Sequence, residues 1–413
     1  MTSYTPYGSL IYVRNYQNMN ITGSHNGMTI QPFRIRIPDA NLADLKRRLA
    51  HTRWPDTIPG SGWTYGLDLD YMMQLRDYWM NHFDWRACEV EWNQLPHFLF
   101  APERFAADDM EIHFIHVRGR GPAPLPIVLT HGWPGSFLEM MKIIPLLTDP
   151  LAASGEPADT FDVVVPSMPG YGFSSRPTRR GFDCFIMADL WAKLMAALGY
   201  EKFIAQGGDF GSDISTVLAW KHPERLLGLH LNSIPPSYRP HLDGAALTTE
   251  ERNSHAEEAH WNVQKGGYCA VQVTQPQTLA FAMNDSPMGL AAWIIDRFRD
   301  WSDCGGDVES RFTRDELLAN VSLYWLTGTA GSSMRLYYES RQRPLHLDKG
   351  ERISVPTAVA KFGKEAPFPP RSWVERGYHL ERWTPFPSGG HFAAMEEPEK
   401  LAQDIREFAR KFR

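Results

Sequence analysis

Asp209 stands in the run FIAQGGDFGSDIS, residues 203–215, an apolar stretch closed by two glycines, with a third glycine and a serine just beyond the acid. Neighbours with almost no side chain suit a backbone that something must approach closely, or a turn too sharp for bulk. The small-x-Asp-x-small spacing fits a strand-to-helix turn that presents the carboxylate at its tip as a nucleophile. The motif alone leaves a second reading open, an Asp that caps the helix starting near Phe210. An attacking carboxylate needs a base to release the covalent intermediate, and the base needs an acid to hold its tautomer. Ligands of open α/β sheets bind at the carboxyl ends of the strands, so the residues to weigh are those where apolar runs stop. These are His131-Gly132-Trp133-Pro134, Gly170 to Phe173, Asp209, Asn232, Gly363 to Glu365, and His391. Asp209, Glu365 and His391 then follow in chain order as nucleophile, spare acid and base. The plainer alternatives are a solvated loop charge at Glu365 and a structural histidine at His391.

Elements able to position these groups are legible along the chain. Residues 38 to about 95 show apolar positions at three- and four-residue spacing and predict helices that start near Pro and Asp. MEIHFIHVRG, 110–119, alternates like a strand, placing His113 and His116 on opposite faces, where they are not expected to share a metal. From about 125, apolar runs (PLPIVLTHGW, FDVVVPSMPG, EKFIAQGGD, LLGLHLNSIPP) alternate with helical stretches, among them SFLEMMKIIPLLTD and CFIMADLWAKLMAALGY. That rhythm predicts a mostly parallel sheet covered by helices on both faces. Residues 236–345 break it with a helical stretch rich in Trp, Tyr and Met. VPTAVAKFG then restores a strand, and a helix closes the chain.

The expected organisation is a flexible tail at 1–27, with Met28 as an alternative start, and an N-terminal segment of helical meander and first strands at 28–120. Core follows at 121–235, a helical cap at 236–345, and the second part of the core at 346–413. With 43% hydrophobic and 22% charged residues the composition is that of a soluble globular protein, and a net charge of −6 argues against nucleic acid as a partner. The four cysteines form no C-x-x-C pair, which predicts reduced thiols, a cytoplasmic location and no zinc site. With no glycine-rich dinucleotide fingerprint either, neither metal nor organic cofactor is expected.

The segments RWPDT, LTHGWPGS, SMPGYGFS, GGDFGS, NDSPMGLAAWI, LYWLTGT and GGHFAAMEEPE, in this order, resemble the microsomal-type epoxide hydrolase family of the α/β-hydrolase fold, from about Met28 to the C-terminus. The resemblance implies that Asp209 attacks an epoxide carbon to form an ester, and that His391, supported by Glu365, activates the water that hydrolyses it. It further implies that the backbone N–H groups of Trp133 and Phe210 hold the oxyanion, and that Tyr268 and Tyr337 donate to the epoxide oxygen, with Tyr338 as packing. His131, Trp133 and Pro134 are expected to line the substrate pocket. Two departures stand out: the anchor of membrane-bound members is not found, and Phe210 replaces a common Trp. The partners implied are a small epoxide and water, with a homodimer as one assembly open to the chain.

Three rivals remain at this level. A haloalkane-type dehalogenase uses the same fold and an Asp nucleophile but needs halide donors in place of the tyrosines. A serine esterase would carry Ser at position 209. A non-catalytic ligand-binding relative would have lost Asp209, Glu365 or His391.

Overall fold

The structure, a computed structural model, describes residues 23–25, 28–102, 110–149, 156–242 and 244–413. Ten strands form one sheet in the order β1-β2-β3-β4-β6-β5-β7-β8-β9-β10. They are β1 (Gly23–His25), β2 (Met28–Phe33), β3 (His97–Ala101), β4 (Ile112–Val117), β5 (Leu125–Thr130), β6 (Phe161–Pro166), β7 (Phe203–Gly207), β8 (Leu226–Leu231), β9 (Ile353–Lys361) and β10 (Tyr378–Pro385). The amino-terminal half of the order pairs antiparallel as far as β6, and the remainder, from β6 to β10, is parallel. β4 and β6 are buried at every position, as strands covered on both faces must be. This is the mostly parallel, helix-covered sheet expected from the alternation of apolar runs and helices, and it agrees with the α/β-hydrolase fold that the resemblance implies. Of the stretch expected to be a tail, residues 23–25 pair with β2, and 1–22 and 26–27 lie outside the described residues.

The N-terminal helices are α1 (Asp39–Ala50), α2 (Leu69–Asn81) and α3 (Trp85–Trp92). Asp84 interrupts the expected run by accepting from the N–H groups of Arg86 and Ala87, which starts α3 afresh. β2 and β3 belong to the first strands expected within 28–120, though the sequence did not locate them: they are short, and Pro32 within β2 weakens the strand pattern. SFLEMMKIIPLLTD is also not one helix. It splits into a 3-10 turn, Phe137–Met140, and α4 (Ile143–Thr148), whose first turn holds Pro145, a residue that starts a helix better than it continues one.

The core helices α5 (Cys184–Ala197) and α6 (Phe210–Lys221) pack on each other and flank β7. Between β8 and β9 the chain forms α7 (Thr249–Lys265), α8 (Gly267–Gln272), α9 (Pro276–Asp285), α10 (Pro287–Trp301), α11 (Arg314–Thr327) and α12 (Ala330–Gln342). α13 (Arg371–Glu375), α14 (Ala393–Glu396) and α15 (Pro398–Ala409) complete the chain. The inserted helices are tied to the strand-end loops by polar contacts. Asn320 donates to the Pro134 carbonyl at 2.8 Å, Tyr324 to that of Gly135 at 2.7 Å, and Tyr171 to that of Ser333 at 3.1 Å. From the other side the N-terminal helices grip the insertion, with the Trp79 indole donating to Ser322 and Arg48 to the Asp285 carbonyl. No helix among the described residues is long and apolar enough to cross a membrane.

Candidate active site

Asp209 stands two residues beyond β7, at the position just before α6, with φ 49°, and among the described residues no other residue besides glycine has a positive φ. A side chain in that region is strained by about 1–3 kcal/mol and persists only where its surroundings over-determine it. They do here. The Asp209 N–H donates to Ser233 Oγ at 2.8 Å, and its carbonyl accepts from the Ser212 N–H at 2.8 Å and the Ser212 hydroxyl at 2.6 Å. The adjoining glycines serve close approach: a Cβ at Gly207 would strike Gly211, one at Gly208 the Asn232 amide, and one at Gly211 the Thr130 carbonyl. The Asp209 side chain makes no helix-capping bond, so the capping alternative does not describe it. Its Oδ1 instead accepts the Trp133 N–H at 2.8 Å. Gly132 is what lets the two loops meet, since a Cβ there would overlap the Asp209 carboxyl group.

His391 approaches from the loop after β10. Its Nε2 lies 3.5 Å from Asp209 Oδ2, and its Nδ1 lies 2.9 Å from Glu365 Oε2. Glu365 follows β9, and its loop is bound to the histidine's loop where the Lys364 N–H donates to the Gly389 carbonyl at 2.9 Å. The His391 N–H donates to the Trp301 carbonyl at 3.0 Å, an approach that leaves no room for a Cβ on Gly390. Burial disfavours the imidazolium, but the Glu365 charge and the hydrogen bonds to Asp209 and Glu365 outweigh it, holding the pKa well above the ordinary imidazole value. The two neighbouring carboxylates thus favour the charged form of the imidazole.

Above these groups stand aromatic rings. Trp133 stacks on Tyr268 with centroids 5.6 Å apart, and Tyr337 meets Phe210 edge-on at 4.7 Å and lies 6.0 Å from Tyr268. Burial raises the pKa of both tyrosines, so each hydroxyl is protonated and able to donate. The Tyr337 hydroxyl is buried without a protein hydrogen bond of good geometry, an arrangement that costs about 1–3 kcal/mol unless a ligand satisfies it. Tyr338 turns outward and is exposed.

Placement corrects the expectation at His131. It does not line the pocket: it is 1% exposed, its Nδ1 meets the Gly132 carbonyl at 3.1 Å, and its Nε2 accepts the Met168 N–H at 3.3 Å. Burial lowers its pKa to about 4, so it is a neutral brace for the Trp133 loop. Pro134 is buried, with its carbonyl taken by Asn320. Trp301 was not foreseen, yet its ring lies 5.0 Å from Tyr268 and 4.8 Å from His391. A lone Trp at a helix end carries no signal of such a role. His113 and His116 are engaged separately, with Ser167 and His97 and with Tyr200, and no group of residues able to hold a metal occurs among the described residues. A separate cavity of roughly 450 Å³, lined by residues such as Asp44, Arg48, Arg176 and Trp325, contains none of the groups above.

Residues 30–140 match the family described as epoxide hydrolase N terminus, and residues 126–262 match the alpha/beta hydrolase fold. A candidate epoxide hydrolase of Stigmatella aurantiaca is 43% identical over 93% of this chain and 86% of its own length. The chain belongs to the epoxide hydrolase family. Epoxide hydrolase 1 of Oryctolagus cuniculus is 36% identical to this hydrolase, covering 92% of the chain and 88% of its own. The crystal structure of juvenile hormone epoxide hydrolase from Bombyx mori superposes on the hydrolase with a TM-score of 0.79 and 29% identity, over 93% of this chain and 94% of that one.

Proposed function

We propose that the hydrolase opens its epoxide through a covalent ester on Asp209. The observation that carries this reading is the division of labour between the two carboxylate oxygens. Oδ1 is already held by the Trp133 N–H, as the carbonyl oxygen of an ester would be, whereas Oδ2 faces His391. Oδ2 attacks an epoxide carbon, the carbon–oxygen bond of the ring breaks, and the departing oxygen takes a proton from Tyr268 or Tyr337. Ester formation removes the Asp209 charge that helps to keep His391 protonated. With that charge gone the imidazolium returns a proton, through solvent, to the tyrosinate left by ring opening, and the neutral imidazole becomes the base. It then deprotonates a water whose oxygen bonds Asp209 Cγ. The oxyanion forms at Oδ1, between the N–H of Trp133 and that of Phe210 at the first position of α6. Two such donors commonly contribute on the order of 10²–10³ each in rate. Collapse expels the diol with Oδ2 in it.

The pocket walls, Trp133, Phe210, Tyr268 and Trp301, suit an apolar substituent on the epoxide, and the helical insertion at 236–345 serves as the cap that carries the tyrosines. Styrene oxide in H₂¹⁸O, with enzyme in excess for a single turnover, tests the route. Unlabelled diol with ¹⁸O in the peptide containing Asp209 is expected, and label in the first diol would rule the ester out. His391→Gln is expected to accumulate the ester, since alkylation does not use the base. Halide release from a chloroalkane without diol formation from styrene oxide would favour the dehalogenase reading instead.

A further inference from the structure

Glu139 is a carboxyl group in this site that the reaction above leaves unused. It belongs to the 3-10 turn that follows the Trp133 loop, and its side chain folds back over Gly135, where any Cβ would collide with its carboxyl group. There its carboxyl group lies close to the Gly132 N–H. Gly132 in turn rests directly against the Asp209 side chain. Glu139 therefore borders the residue that separates its own carboxyl from the nucleophile, one position before the oxyanion donor. Among the described residues, the charged groups acting on it are His391 and Asp209. The Tyr324 hydroxyl, which donates to the Gly135 carbonyl, feels its charge in turn. Glu139 as a residue is half-buried. Burial, helped by the Asp209 charge, pushes its pKa up to about 8. A carboxyl group so placed is expensive to keep in a merely structural role.

We propose that Glu139 is the positioning residue of the hydrolytic half-reaction, its carboxyl group, folded over Gly135 next to the Gly132 that rests on Asp209, holding the water that His391 deprotonates. The inference rests on the covalent reading above. The water keeps one hydrogen, which it donates to Glu139, and gives the other to His391 Nε2. Its oxygen bonds Asp209 Cγ, and Oδ2 leaves with the alkyl group. Formation of the ester cancels the Asp209 charge that favours protonated Glu139. That change makes Glu139 a better acceptor in the second half-reaction than in the first.

The test uses Glu139→Gln, which keeps an acceptor beside Gly132 but turns an N–H₂ donor toward the water. Rapid acid quench of a styrene oxide turnover, with the ester counted by peptide mass, separates the two steps. Alkylation is expected to stay within about threefold of the parent, while ester hydrolysis slows roughly tenfold or more, so that kcat and KM fall together and kcat/KM holds. Hydrolysis at the parent rate overturns the proposal, and so does an equal slowing of both steps, which marks a disturbed Trp133 loop. Glu139→Asp, which keeps the acid but withdraws it by one methylene, is expected to show the same split and serves if the Gln variant does not fold. Absence of any ester in the parent and in His391→Gln would instead sink the covalent reading, so the two failures are distinct.

Discussion

Tyr337 and Tyr338 are adjacent in the chain and opposite in environment: the first is 8% exposed and faces Phe210 and Trp133, the second is 40% exposed. On a helix consecutive side chains point about 100° apart, so only one of the pair can reach the pocket. Tyr337→Phe is expected to slow alkylation roughly tenfold because Tyr268 still donates, whereas Tyr338→Phe changes it by less than about twofold. Replacing Tyr268 and Tyr337 together should cost about 10³ or more, since an epoxide oxygen leaves poorly without a donor. Single-turnover alkylation of the three variants decides the matter, and a Tyr338→Phe variant as slow as Tyr337→Phe would overturn the assignment. At the same scale, the two carboxylates that face His391 favour its charged form, and on the proposed route the first step would remove one of those charges.

The element that makes the nucleophile usable is the β7–α6 turn. Its strain is confined to Asp209, and the glycines around it are there because other backbone passes where a Cβ would be. Gly211 is the tightest test, since α6 leaves the sheet against the Thr130 carbonyl at the end of β5. Gly211→Ala forces either α6 or β5 to move. It is expected to destabilise the protein by about 2 kcal/mol and to slow alkylation by roughly tenfold, because Trp133, which directly follows this part of β5, moves relative to Asp209. Urea unfolding and single-turnover alkylation measure the two effects. A variant as stable and as fast as the parent would show that the turn tolerates a side chain there.

On the scale of the molecule, the catalytic groups depend on a sheet whose later strands must stay in register, and α15 fastens them from behind. Asp404 on α15 accepts from His230 of β8 at 2.9 Å, and from Arg382 and Thr384 of β10 at 2.7 and 2.6 Å. Burial alone would raise its pKa, but these bonds win and hold it down to about 2. A carboxylate whose folded pKa is depressed stabilises the protein above its unfolded value, near 3.8, and loses that contribution as pH falls toward 2. Asp404→Asn is therefore expected to cost about 3 kcal/mol near neutral pH, with the gap from the parent narrowing between about pH 4 and 2. Denaturation midpoints of both proteins across that range check it, and a gap that stays constant with pH would refute the coupling. Because β9 and β10 carry the loops of Glu365 and His391, the same variant reports on how far the sheet's edge supports the site.

The alternation of apolar runs with helical stretches was enough to call for a mostly parallel covered sheet, because burial on both faces demands uninterrupted apolar strands. The glycine spacing around Asp209, and the carboxylate and histidine at later strand ends, were equally legible: sharp turns and chemistry leave local signatures in residue type. What the chain's own order could not convey was contact between segments far apart in it. Whether Asp209 capped its helix or faced Trp133, that His131 braces a loop from behind, and that Trp301 walls the pocket were decided by packing. So was the reach of Glu139 back to Gly132. The positions of β2 and β3 were hidden for the same reason, since these short strands hold because their neighbours in the sheet pair with them. Local pattern specifies which groups a protein can use, and long-range packing specifies which atoms of those groups meet.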